Sequence, residues 1–251
     1  MINLRSIKTQ LAAYLVLLAL WLAFQDRGFS FLISGAVCLV AAVVTEAAFL
    51  YFKTKKWQVT ESAVIAGAIV GYVASSDEAW WKLALAAAFT IVLKHAVRWR
   101  NKHIFNPAAL GLFVAVLALG VSLQWKGTYL WYLTAPCGVY LAWKMRKLEI
   151  LAGYAGVSLL LFGAQALLQG VSLLNIFGYF SYFYIFIMVI EPKTTPASRI
   201  GKYVFGAGLA GLIFLLNASD FSVEVELLSL LAMNAAVPLL NRSFTQQGGP
   251  A

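Results

Sequence analysis

Residues 94–121 read KHAVRWRNKHIFNPAALGLFVAVLALGV. The first part carries Lys94, Arg98, Arg100 and Lys102, with His95 and His103 alongside, whereas nothing from Ile104 to Val121 is charged. Asn106 and Pro107 stand at the join. Asparagine makes a good helix N-cap, because its side-chain oxygen accepts a backbone N–H of the first turn. Proline at the next position loses nothing, since that N–H has no helical partner anyway. A cationic block, a capped helix start and an apolar run approaching the roughly 20 residues that cross a bilayer describe a helix leaving the cytoplasmic membrane surface.

The alternation continues in both directions. Apolar runs between charged or turn-like breaks fall at about 9–24, 29–52, 62–75, 82–97, 104–122, 128–143, 149–168, 172–190, 203–217 and 225–240. With the N-terminus in the cytoplasm, 16 of the 19 Lys and Arg residues lie in inside segments, and only Arg27, Lys82 and Lys126 lie outside. Cationic loops are retained in the cytoplasm, so this asymmetry predicts ten spans with both termini inside a bacterial-type inner membrane. Six of the ten acids, Asp26, Asp77, Glu78, Asp220, Glu224 and Glu226, fall outside. The chain is 62% hydrophobic and 12% charged with a mean hydropathy of +0.81, where a soluble domain carries about 25% charge. That excludes an ordinary cytosolic enzyme, a disordered regulator and a nucleic-acid-binding domain. No cleavable signal peptide and no soluble domain are expected, and the tail from Gln246 to Ala251 reads as disordered.

The predicted fold is therefore an all-α polytopic membrane protein, a single transmembrane domain of about ten helices. Five spans being an odd number, two five-helix repeats at about 9–122 and 128–240 are related by inversion. The third span is short and rich in Ala, Gly and Ser, and the ninth is also short. The third, ending at Ser75-Ser76-Asp77, corresponds to the eighth, ending at Ile190-Glu191-Pro192, and such interrupted segments line sites inside a bundle.

Polar groups at membrane depth are costly unless paired or facing a cavity, so each is a candidate site residue. Lys94 and the helix start at Asn106 offer positive charge for an anionic or electron-rich ligand; a capped end with topogenic charge is the plainer reading. The segment from Glu191 to Lys202, with two prolines, Thr194, Thr195 and Ser198, cannot continue a helix. It is either a ligand-binding loop or a rigid cytoplasmic turn. Asn234 in the tenth span, with Pro238 and Asn241 one and two turns on, suits an interhelical hydrogen bond. Glu46 is placed to snorkel or to pair with the basic loop at Lys53. Gly67 and Gly71, and likewise Gly206, Gly208 and Gly211, suggest close helix packing. Cys38 and Cys137 lie far apart and read as small core residues rather than half of an iron–sulfur ligand set. His95 and His103 lack a third ligand at useful spacing, so no metal site is expected.

These clusters, in this order, resemble the RnfD/NqrB family, whose members are membrane components of the Rnf electron-transport complex and of the sodium-translocating Nqr complex. The resemblance runs over about 60–242. It is carried by Ser62-Ala63-Val64 with Gly67, Trp80-Trp81, Lys94, Phe105-Asn106-Pro107-Ala108-Ala109-Leu110-Gly111, Met188 to Glu191-Pro192, Thr195-Pro196, Gly201-Lys202 with Gly206, Met233-Asn234 and Pro238-Leu239-Leu240. It implies an inverted-repeat fold similar to that of urea transporters. It also implies a role in a membrane complex that moves electrons through flavins and couples this to sodium or proton transport. Lys94, Asn106, Glu191, Thr194, Thr195 and Asn234 are then the expected cofactor-binding residues.

Three departures narrow that expectation. Relatives with covalent FMN carry it on a threonine in a Ser/Thr-Gly-Ala-Thr motif, whereas this chain has Ser122-Leu123-Gln124-Trp125-Lys126-Gly127-Thr128. Covalent FMN on Thr128 is therefore not expected; non-covalent FMN, riboflavin or a quinone is. Arg98-Trp99-Arg100-Asn101 replaces the family's glycine-rich turn, and Glu191 stands where aspartate is usual. The expected surroundings are the lipid bilayer and other redox subunits or a second copy, with no nucleic acid. The competing function is a stand-alone channel or carrier for a small solute on the same scaffold, and a purely structural membrane subunit is a third.

Overall fold

The computed structural model describes residues 6–26, 29–99, 102–219 and 223–244. The tail 246–251, Arg27, Arg100, Asn101 and Asp220 lie outside the described residues. Contacts divide the chain into two units, Met1–Cys137 and Gly138–Ala251. The division falls inside a helix, later in the chain than the 122–128 loop singled out in the sequence.

The first unit holds α1 (Ile7–Asp26), α2 (Ser30–Thr54), α3 (Glu61–Val73), α4 (Trp80–Ala96), a two-residue hairpin of β1 (Arg98–Trp99) and β2 (Lys102–His103), and α5 (Pro107–Leu119). A 3-10 turn, Lys126–Thr128, leads into α6 (Trp131–Lys144), which crosses the division. The second unit continues with α7 (Leu148–Leu168), an irregular segment, α8 (Arg199–Ala218) and α9 (Val225–Phe244). Five of these helices, α1, α2, α7, α8 and α9, are long and apolar enough to cross a membrane. The molecule is a polytopic helical membrane protein.

Local chemistry sets the helix ends. Thr60, Asn106 and Ser198 each cap a helix by accepting the amide three residues on, from Ala63 at 3.2 Å, Ala109 at 3.0 Å and Gly201 at 3.1 Å. Such caps satisfy amides that have no helical partner. Gly120 ends α5 in the left-handed conformation at φ 61°.

α3 and α5 have 13 residues each. At 1.5 Å per residue each is about 20 Å long, short of the roughly 30 Å hydrocarbon core. Both stop early, and their ends pair with one another. Ser75 donates its amide to the Ser122 carbonyl at 2.9 Å, and Gln124 donates to Val73 at 2.8 Å. The exposed backbone groups of two broken helices are thus satisfied within the protein, which is the condition for irregular backbone beside lipid. Glu78 seals the junction by accepting the Ser122 hydroxyl and amide at 2.7 and 2.8 Å, with Lys82 at 3.1 Å. Those bonds, the hydroxyl's first, hold the Glu78 carboxyl below its ordinary range.

The expected eighth span, 172–190, is not one helix. It has a 3-10 stretch at Leu173–Tyr179, an extended residue at Phe180 and a π-helical turn at Tyr184–Met188. Asn175, Gly178 and a crowd of aromatic residues are weak helix formers, and no aliphatic run of helical period overrides them. Expected span ten is continuous through Pro238.

Glycines bring the helices together. A Cβ on Gly67 or Gly71 would stand 2.9 Å from α2 atoms, and one on Gly111 would stand 2.0 Å from the Thr90 hydroxyl of α4. In the second unit, a Cβ on Gly206 would meet the Ile150 carbonyl oxygen of α7 at 2.1 Å, and one on Gly208 would meet Met233 of α9 at 2.9 Å. Gly211 differs from the packing role expected of it: its Cβ would meet nothing within 4 Å. Spacing along the chain put it in the same series, but it faces away from both neighbours. Cys38 is buried and Cys137 half-buried, and neither is in a disulfide.

Candidate functional site

The six expected site residues fall into two sets, Lys94 and Asn106 in the first unit and Glu191, Thr194, Thr195 and Asn234 in the second.

Lys94 lies in the last turn of α4 and is 6% exposed. Its ammonium donates to both carboxylate oxygens of Glu46 at 3.0 Å, and His95 Nε2 lies 3.0 Å from Glu46 Oε2. Glu46 is itself 3% exposed, so this is a buried ion pair with a histidine attached. His95 stacks on Phe49, one turn beyond Glu46 on α2, with ring centroids 4.0 Å apart. Glu46 therefore does not reach the basic loop at Lys53, as its position suggested. The pair is favoured because a buried charge is tolerated only when paired and hydrogen-bonded. Lys94 has its charge balanced within the protein. Asn106 is buried at the start of α5 and serves as its cap.

The second set forms one construction. Residues 189–198 leave the helical path, yet Thr194, Thr195 and Pro196 are buried. The buried Asn234 of α9 donates its amide to the Thr194 carbonyl at 2.9 Å. Thr194 donates to Glu191 Oε2 at 3.5 Å, and Thr195 donates to the Glu191 carbonyl at 3.1 Å. Asn241, two turns further along α9, accepts the Ala197 amide at 2.9 Å. Five polar side chains, those of Glu191, Thr194, Thr195, Asn234 and Asn241, thus hold a short non-helical loop in one shape.

Two residues of this construction were not among the expected site residues: Lys147, read in the sequence only as topogenic charge, and Lys202, read as the end of the 191–202 segment and as part of the family resemblance. Lys147 lies in the tight turn between α6 and α7, where Arg146 takes a left-handed conformation at φ 56°. Its ammonium donates to the Thr195 hydroxyl and, at 3.3 Å, to the Pro196 carbonyl. Lys202 of α8 donates to the Arg146 carbonyl at 2.6 Å and lies 3.9 Å from Glu149 Oε2. The two lysines are 7% and 9% exposed. Nothing in Met145-Arg146-Lys147 distinguishes the buried cation from its neighbours; the tightness of the turn between two helices is the one available signal.

Burial, with Lys202 adding to it and Glu149 opposing, pushes the Lys147 ammonium down from 10.5 to about 8. Below pH 8 folding bears the cost of a charged, buried Lys147. Stability therefore rises as pH climbs from about 8 towards 10.5, by at most on the order of 3 kcal/mol and by less where water screens the ammonium. The melting temperature of the detergent-solubilised wild type should therefore gain on that of Lys147→Met across that window. A difference between the two that stays flat or falls there would contradict the burial of this ammonium.

Among the described residues, no group of three or more His, Cys, Asp or Glu side chains could hold a metal ion. Thr128 closes the 3-10 turn Lys126–Thr128, half-buried, with its amide on Trp125. A family model described as NQR2, RnfD, RnfE family matches the chain over residues 2–135 and 132–248. No curated protein matches it.

Proposed function

The chain belongs to the NQR2, RnfD, RnfE family, of membrane subunits of Rnf- and Nqr-type complexes, and we propose that it holds a flavin or quinone without a covalent bond in such a complex. In this reading the ring docks at the 191–198 loop of the second unit, and other subunits carry the remaining redox centres. The single observation that carries it is the loop itself: non-helical, buried at its centre, and pinned by Asn234. Irregular backbone at membrane depth is tolerated where it is buried in protein or lines a cavity.

The residue chemistry fits the ring. A carboxylate at Glu191 and hydroxyls at Thr194 and Thr195 suit the imide edge of a flavin, which presents one N–H between two carbonyls, or the carbonyls of a quinone. The ring supplies the electron chemistry, and the chain orients it and adjusts its surroundings. Asn234 positions the loop by holding the Thr194 carbonyl. Lys94, neutralised by Glu46, and Asn106, engaged as a cap, keep the first unit's helices in place. Coupling of electron flow to sodium or proton movement belongs to the same proposal.

The junction of α3 and α5 favours a second reading. Two broken helices meeting at Ser75, Ser76, Ser122 and Gln124 are the kind of feature that lines a solute path. Isolation of an affinity-tagged chain from its native membrane separates the two. The redox reading expects flavin- or iron–sulfur-containing proteins to accompany it in stoichiometric amounts. A chain that isolates alone, and makes liposomes permeable to a small solute, supports the channel or carrier instead.

A further inference from the structure

We propose that Lys147, Lys202 and the start of α8 form a binding site for a phosphate group, occupied by the headgroup of an anionic phospholipid. The inference goes beyond the ring-binding role and does not depend on it.

Two lysines from different elements converge here, 7% and 9% exposed. Among the described residues, Lys147 has no carboxylate within ion-pair distance. Its two acceptors, the Thr195 hydroxyl and the Pro196 carbonyl, are neutral and leave one N–H unused. Lys202 has one neutral acceptor and a carboxylate only at 3.9 Å. That carboxylate, Glu149, is shared with the exposed Arg199 at 3.6 Å. Among the described residues, Glu149 is the one carboxylate within ion-pair distance of any of these three cations. Buried charge is ordinarily paired, and two like charges held together raise each other's cost. Burial, with Lys202 adding to it, lowers the affinity of Lys147 for its proton.

The backbone adds to it. Ser198 caps α8 through Gly201, and the amides of Arg199 and Ile200 in the same first turn find no acceptor among the described residues. The positive end of a helix of 20 residues therefore opens beside the lysines. An anion with several acceptor oxygens would relieve both shortages at once.

The surroundings identify the source of the phosphate as lipid. Trp143 at the end of α6, Leu148 at the start of α7, and Ile200, Tyr203 and Val204 on α8 are large apolar residues left exposed. They flank the cations at the end of α6 and at the starts of α7 and α8, the latter two long and apolar enough to cross a membrane, where acyl chains begin. Basic pockets between transmembrane helices on the cytoplasmic side bind anionic headgroups in this manner. A soluble phosphate ester would present the same group without needing the apolar flank.

The test uses the full chain in nanodiscs of phosphatidylcholine with a minor fraction of phosphatidylglycerol. Native mass spectrometry counts the phosphatidylglycerol retained after the disc is removed. Retention by the wild type is expected to weaken roughly thirtyfold in Lys147→Gln/Lys202→Gln. It should persist in Lys147→Arg/Lys202→Arg, and in Lys55→Gln/Lys56→Gln, which removes equal charge from the other unit. Should the double glutamine variant fail to fold, Arg199→Gln, at an exposed side chain, is expected to weaken retention severalfold. In lipid-free detergent, inorganic phosphate and glycerol 3-phosphate probe the soluble source. Lysine-dependent binding of either, without phosphatidylglycerol retention, keeps the phosphate site but assigns it to a soluble ester. No lysine-dependent binding of any of the three, or equal loss in Lys55→Gln/Lys56→Gln, overturns the proposal.

Discussion

Glu46→Ala should be the most damaging single substitution in the first unit, costing about 3–5 kcal/mol, the usual range for removing one partner of a buried ion pair. The variant leaves the Lys94 ammonium buried with its two charge-assisted hydrogen bonds gone, and removes the carboxylate that His95 faces. Lys94→Met should be milder, because Glu46 keeps His95 beside it. The double variant Glu46→Gln/Lys94→Met should recover much of the loss, since neutral partners of similar shape no longer demand compensation. The measurement is the melting temperature and monodisperse yield of each variant in the same detergent. A Glu46→Ala chain that melts with the wild type, or a double variant worse than both singles, would show that the pair does not form.

Gly206→Ala should disrupt the second unit by wedging α8 from α7. The added methyl would sit 2.1 Å from the Ile150 carbonyl oxygen and 2.9 Å from the Tyr154 nitrogen. Both are backbone atoms of a helix and cannot swing aside as a side chain would. Overpacking of this kind costs about 1–3 kcal/mol and occasionally more. Gly211→Ala, on the same helix with open space around it, is the control. It should be neutral or stabilising by up to about 1 kcal/mol, because alanine is the better helix former. Equal melting temperatures for the two variants would mean that α7 and α8 do not approach at Gly206. Because Ile150 and Tyr154 lie just beyond Lys147, the loss should also loosen the 191–198 loop.

The contrast between Gly206 and Gly211 shows how far the sequence could be read. Composition and charge were enough to place the apolar segments, since both follow from what lipid will accept. The cap at Asn106 was legible for a local reason: a side chain and an amide three residues apart. Facing was not legible. Glu46 is 48 residues from Lys94, and neither helix carries a pattern that says which turns meet. Spacing grouped three glycines on α8, while only two approach another helix. The irregular course of 173–188 was hidden because hydropathy measures burial and not backbone path. Lys147 looked like its neighbours because burial of a turn depends on what packs over it, here the loop of Thr195 and Pro196 supplied from 48 residues away.

The proposed role rests on a redox ring held by contacts alone at the 191–198 loop. The direct measurement is the cofactor content of the tagged chain purified with whatever subunits accompany it. Acid precipitation followed by solvent extraction and mass spectrometry should release flavin or quinone at about one per chain into the soluble fraction. That amount should fall sharply in Asn234→Leu, which cannot hold the Thr194 carbonyl. The peptide containing Thr128 should carry no added mass. Flavin that stays with the precipitate on Thr128, release that Asn234→Leu leaves unchanged, or preparations free of both ring types would contradict the account.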